Sequence, residues 1–261
     1  MLTMADVRQN PEVRHYLDRA DGVLGSVGYT EHGRRHAGVA AKRAKSLLEA
    51  LDRPARQCEL AWIAAYLHDI GNIVNRDHHA QSGAVLAHGI LREAGMSIEE
   101  TIEIVTAIGH HHETDGAPVS DIAAAVILAD KSDVHRSRVR DKEMIQLDIH
   151  DRVNYAVTHS SLRVVGPNAA KEMEGEREAV RGAANNGGDS SPGDVAEITI
   201  SDVDEGKPPK PVVTLALKIE TSLSPVMEYF EIFLPRMILS NRAADRLGAS
   251  YKLVINETPL L

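Results

Sequence analysis

The chain has 261 residues, 43% of them apolar and 26% charged, with a formal net charge of -9. That length can bury a substantial core, while the acidity excludes the basic footprint that extended nucleic acid demands. A single cysteine, Cys58, excludes an internal disulfide framework and suits a reducing compartment.

Residues 4 to about 158 read as a run of helices. Asn10-Pro11-Glu12 is a helix start, a capping asparagine with proline in the first turn, and Gly28 stops that helix near Val27. Thr30 stands where it can cap the next, in which Ala37, Ala40, Ala41, Ala44, Leu47, Leu48 and Leu51 recur at helical spacing. Further helices are expected from about Pro54 to His68, Ser82 to Ala94, Ser97 to His110, Ser120 to Asp130 and Lys142 to Thr158, with breaks at Gly95 and Gly116. After Val165 the composition turns polar, and residues 166–194 read as an insertion whose second half is a mobile loop. The period then switches to two. Ala196 to Ile200 and Val212 to Ile219 read as strands, Pro225 to Leu247 as a helix capped by Gly248, and Tyr251 to Ile255 as a last strand. The expected fold is mainly α: an all-helical domain over residues 1–158, then a small α+β module over 159–261 that contains the insertion.

The histidines are unevenly spread. Among the 13 histidines, His32, His36, His68, His78, His79, His110, His111 and His112 all lie in the helical half, accompanied by Asp69 and Asp130. Imidazole and carboxylate are donors that borderline divalent metals accept. His68-Asp69 closes an apolar helix and is followed by Ile70-Gly71. Adjacent helical residues point about 100° apart, so both reach one ion only if it lies beside the helix end. Taken alone, such a pair is more often a capped helix terminus. Lys131 and Arg138 are candidates for contacting phosphate, because cationic side chains, and guanidinium forks above all, match its oxygens. A solvated helix face is the plainer reading of the run His135 to Arg140. Asp148, Asp151, Arg152 and Asn154 read as inter-helical polar contacts, and the C-terminal helix around Met227 to Met237 reads as packing on the strands without chemistry.

In this order the residues resemble the HD superfamily of metal-dependent phosphohydrolases, whose signature is a helical His, a His-Asp pair and a distant Asp. His36 in His36-Ala37-Gly38-Val39 matches the first, His68-Asp69 the second, and Asp130 in Ile127-Leu128-Ala129-Asp130-Lys131 the last. Two further segments resemble the branch that holds more than one metal. One is His79-Ala80-Gln81-Ser82-Gly83; the other, His111-His112-Glu113, is similar to an element of the HD-GYP cyclic dinucleotide phosphodiesterases. Ala117-Pro118 stands where that group carries Gly-Tyr-Pro, and Asn72 stands where a lysine commonly follows His-Asp-Ile-Gly. These departures argue against cyclic dinucleotide specificity.

The resemblance implies that His36, His68, Asp69 and Asp130 hold one divalent transition metal. Asp69 would bridge to a second, with His79, His111 and His112 completing its shell. Fe or Mn is favoured, and Co, Ni or Zn is compatible. Catalytic roles fall to His68, Asp69 and Lys131, and substrate contacts to His32, Lys131 and Arg138; His110 is the expected bystander. The implied activity is hydrolysis, by metal-activated water, of a phosphomonoester or phosphodiester bond in a small molecule, with a nucleotide as the expected substrate. A cytoplasmic protein is expected, with no membrane or extended nucleic acid as partner; a homodimer is compatible. The rival reading is a non-catalytic sensor that binds metal and nucleotide. A degenerate sensor would be expected to lose ligands, and the signature ligands are all present.

Overall fold

A computed structural model describes residues 1–165 and 210–260. Eight helices come first: α1 (Met4–Gln9), α2 (Pro11–Ser26), α3 (Arg34–Ala50), α4 (Ala55–Leu67), α5 (His79–Glu93), α6 (Ile98–Gly109), α7 (Asp121–Lys131) and α8 (Ile149–Ala156). The strands β1 (Val157–Val165) and β2 (Val212–Ile219), a long helix α9 (Val226–Arg246), and the strands β3 (Ser250–Ile255) and β4 (Thr258–Pro259) complete it. The architecture is mainly α, with a small C-terminal sheet.

The helix starts follow local chemistry. Asn10 accepts from the backbone N–H groups of Glu12 and Val13, ahead of Pro11. Ser97 and Ser120 cap α6 and α7 by accepting from Glu100 and Ala123, which satisfies amides that have no partner in the first turn. Two starts differ from expectation. Gly33, not Thr30, precedes α3, and α5 begins at His79, behind His78 in the left-handed conformation. The helix expected over Lys142 to Thr158 is broken. Lys142–Gln146 is a 3-10 turn, Asp148 caps the short α8, and the chain passes into β1 at Val157. β1 runs antiparallel to β2 from Val157 to Val165, and the ladder claims residues that local pattern alone assigns to a helix. The strand expected at residues 196–200 and the expected loop lie outside the described residues.

α7 is the central helix: Ile122 to Lys131 are all buried, and it packs against α3, α4, α6 and α9. The sheet order is β1-β2-β3-β4, with β2 and β3 parallel and the outer pairings antiparallel. Parallel neighbours need a crossover, which α9 supplies. One continuous core links the helices to the sheet, from Leu17, Leu48 and Ile63 through Ile127 to Leu215, Phe233 and Leu253. α9 is thereby fixed against the bundle. No helix among the described residues is long and apolar enough to cross a membrane.

Candidate metal centre

α4 buries Leu60, Ile63, Ala64 and Leu67 among α3, α6 and α7, so it ends inside the protein. His68 keeps helical angles, Asp69 leaves them at φ -98° and ψ 1°, and one 3-10 turn, Ile70–Ile73, follows. A Cβ on Gly71 would overlap the His79 carbonyl oxygen and the Gly83 nitrogen. Glycine here lets α5 press against the turn, and that contact delivers His79 to Asp69. His36 rises from the first turn of α3, His111 follows the end of α6, and Asp130 closes α7.

Six side chains converge, all buried or nearly so. Nε2 of His36 lies 3.3 Å from Nε2 of His68, and Nε2 of His79 lies 3.1 Å from Nε2 of His111. Asp69 stands between these pairs. Its Oδ2 is 3.1 Å from His68 and 3.6 Å from His36, while its Oδ1 is 3.5 Å from His79 and 3.9 Å from His111. Asp130 Oδ1 faces the first pair, 3.2 Å from His36 and 3.5 Å from His68.

The other ring nitrogen of each histidine is occupied. Nδ1 of His68, His79 and His111 donates to the carbonyl oxygens of Ala65, Arg76 and Ile108 at 2.7, 2.8 and 2.6 Å. Nδ1 of His36 donates to Asp133 at 2.8 Å. A carbonyl oxygen can only accept, so the proton sits on Nδ1 and the Nε2 lone pair faces the centre. Lone pairs and carboxylates pointed at one another repel unless positive charge lies among them. Consistent with that, Asp69 Oδ2 is buried without a hydrogen-bond partner. Burial opposes charge on His68, yet Asp69 and Asp130 raise its pKa to about 10; without a cation the cluster would retain a proton there. Burial, reinforced by Arg76 against the pull of Asp69, pushes His79 down to about 4. Burial and then His68 hold His111 well below the usual range, so both remain neutral and able to ligate. Nitrogen and oxygen donors in this mixture fit a divalent transition metal.

A second layer fixes the first. Asp133 accepts from His36 and from Arg35. Asn72 donates to Asp69 Oδ1 at 2.9 Å. Lys131 Nζ binds Asp130 Oδ2 at 2.8 Å and Glu113 Oε2 at 2.6 Å, so it anchors two carboxylates. Outside the cluster opens a cleft of about 680 Å³, lined among others by Tyr29, His32, Arg76, Asp151, Asn154, Phe233 and Arg236.

The structure thus brings His36, His68, Asp69, His79, His111 and Asp130 together. His112 lies at the rim, its Nε2 3.8 Å from Glu113 Oε2, and its ring centroid is 4.8 Å from that of His79. His32 is buried with Nδ1 on the Thr30 carbonyl, and its ring centroid is 5.5 Å from that of His36. The run 135–140 is not a solvated helix. Arg136 pairs with Glu220, Arg140 with Asp21, and Arg138 turns inward to the carbonyls of Glu31 and Asp133. As expected, Arg152 crosses between helices, with a two-pronged pair to Glu228 at 2.9 and 2.8 Å. Sequence reasoning missed Asp133, Asn72 as a support, Arg76, Glu113 and Arg236. The last corrects the expectation for α9: Arg236 reaches the site and pairs with Glu113 at 3.0 Å. The one local signal for Asp133 was its position one turn beyond Asp130.

Fold and site together define a helical protein with a buried His/Asp cluster suited to divalent cations. Residues 29–155 match the HD domain family. The resemblance to HD domains read from the sequence is thus matched over this stretch, which is just under half of the chain. An uncharacterised protein of Methanocaldococcus jannaschii is 30% identical over 155 residues, a stretch covering 51% of this chain and 59% of that relative. No solved structure matches significantly.

Proposed function

We propose that the protein is a phosphohydrolase that uses two divalent ions, Fe or Mn, to hydrolyse a phosphate ester of a small molecule, with a nucleotide as the substrate class. One observation carries the reading: four histidines with protonated Nδ1 turn their Nε2 lone pairs towards the two oxygens of Asp69. His36, His68, Asp69 and Asp130 would hold one ion; Asp69, His79 and His111 would hold the other, with His112 at its edge. Bound ions supply a polarised water and a Lewis-acid grip on phosphoryl oxygens.

The chain's own groups do the rest. Asp133 and the carbonyls of Ala65, Arg76 and Ile108 keep protons off the ligating nitrogens. Lys131 holds Asp130 in place through its ion pair, a positioning role in addition to the phosphate contact expected of it. Arg138 and His32 face the cleft beside the cluster, where they can orient phosphoryl oxygens. The cleft volume lies within the range of ~300–1,000 Å³ typical of small-molecule sites, and the Asn154 and Asp151 end offers polar contacts to a sugar or base.

The test combines elemental analysis of metal-loaded protein with phosphate release across mononucleotides, dinucleotides and simple esters. Asp69→Ala should abolish release and lower metal content. A fully metallated protein inert across the whole panel would refute the enzyme and favour a sensor.

A further inference from the structure

Three guanidinium groups stand between the His/Asp cluster and the cleft. Arg76, Arg138 and Arg236 line both the narrow space over Asp69 and Asp130 and the larger cleft outside it. They come from the turn before α5, the 3-10 turn after α7, and the middle of α9.

Their pairing is unequal. Arg236 is matched by Glu113. Arg138 is buried, and its Nε and Nη1 are held at 3.0 and 2.9 Å by the carbonyl oxygens of Glu31 and Asp133, which are neutral acceptors. Its Nη2 is buried with no partner. Arg76 meets the Asn72 side-chain oxygen at 3.2 Å and the Tyr29 ring at 5.4 Å. Among the described residues neither Arg76 nor Arg138 forms an ion pair with a carboxylate, although the chain carries a net charge of -9. Buried charge without a counter-charge is costly, and a fork with one free nitrogen fits a phosphoryl oxygen.

The charge balance indicates which phosphoryl group. Two divalent ions held by the residues around Asp69 and Asp130, as proposed above, would supply positive charge for the group under attack. The two unpaired guanidiniums are additional. We propose that Arg76 and Arg138, with Arg236 beside them, form a subsite for a second phosphoryl group, so that the substrate carries at least two, as a nucleoside diphosphate or triphosphate does. The proposal rests on the phosphohydrolase reading for its substrate, but the subsite itself is built from protein groups alone.

Calorimetric titration of inorganic phosphate into the full chain stripped of metal isolates the subsite. The unaltered protein should bind phosphate. Arg138→Gln and Arg76→Gln should each weaken binding by about 10- to 100-fold, the worth of a charge-assisted hydrogen bond, while Arg136→Gln, at a guanidinium paired with Glu220 away from the cleft, retains it. Arg76 is only half-buried, so its variant stays informative if Arg138→Gln fails to fold. Absence of binding, or equal affinity in unaltered protein and both arginine variants, overturns the subsite. In the metal-loaded protein, Arg76→Gln should lower kcat/KM for a nucleoside diphosphate by about tenfold relative to the monophosphate. Equal loss on both overturns the assignment to a second group. A chain that takes up no metal yet still binds phosphate through these arginines would sink the hydrolase reading and leave the anion subsite standing.

Discussion

Asp133 grips His36 from behind, which makes it a direct test of how the cluster is tuned. Its Oδ2 accepts from His36 Nδ1 at 2.8 Å and from Arg35 at 3.0 Å, and only 3% of the side chain is exposed. In Asp133→Ala nothing holds the His36 proton on Nδ1. The alternative tautomer, protonated on Nε2 and unable to ligate, becomes accessible, and the ring loses its orientation. Outer partners of ligating histidines are worth about 10- to 100-fold in metal affinity, or about 1.4–2.7 kcal/mol. The buried setting, which bars water from replacing the carboxylate, places Asp133→Ala near the upper figure. Asp133→Asn keeps an acceptor while losing the charge, so a loss of about tenfold or less is expected. Competition with a chromogenic chelator resolves the ions separately, and the ion on the His36 side should suffer most. Wild-type affinity for both ions in Asp133→Ala would refute the reasoning. Equal weakening of both, together with a collapsed Tm, would show that Asp133 serves stability alone.

The remaining expectations concern stoichiometry, packing and pH. His111→Ala should reduce metal content from about two ions per chain to about one, whereas His68→Ala should disturb both because its ring neighbours Asp69 and His111; elemental analysis of the purified variants decides. Gly71→Ala should destabilise the fold by on the order of 3 kcal/mol, since the new methyl meets backbone of α5 rather than a movable side chain; an unchanged denaturation midpoint would contradict that contact. Glu100 is held below its ordinary 4.5 by its hydrogen bond to Arg56. Its stabilisation is therefore present above pH 4.5 and lost as pH falls through the lower folded value. Glu100→Gln should cost about 1 kcal/mol or less at pH 7 and nothing at strongly acid pH, a difference that denaturation curves at the two pH values measure.

The elements that could be read directly are those whose ends are set by local chemistry. Asn10-Pro11, Ser97, Ser120 and Gly248 each mark a terminus where the structure has one. Thr30 was a plausible cap, but the chain between it and α3 is shaped by distant groups: Asp21 accepts from the His32 amide, and Arg138 accepts no local role but donates to the Glu31 carbonyl. β1 was hidden for a similar reason, because its register depends on β2, far along the chain. The metal-ligand candidates were legible because His36, His68-Asp69 and Asp130 stand in the order of the HD signature that the chain resembles, and imidazole and carboxylate carry their donor chemistry in their identity. Arg76, Glu113, Asp133 and Arg236 carry theirs only in what they touch. Arg236 in particular sits within Phe233-Leu234-Pro235-Arg236-Met237, a segment whose composition announces packing.

The late arrival of α9 in the chain has a consequence for biosynthesis. All six residues of the cluster precede the end of α7, whereas Arg236 and Phe233, which wall the cleft, belong to the crossover between β2 and β3. On the ribosome, the nascent bundle can gather its histidines and aspartates while the segment that closes the substrate cleft is still unmade. The order of the chain thus places every residue of the cluster ahead of the helix that walls the cleft, and a truncated product ending before α9 would lack Arg236 and leave Glu113 with Lys131 as its cationic partner.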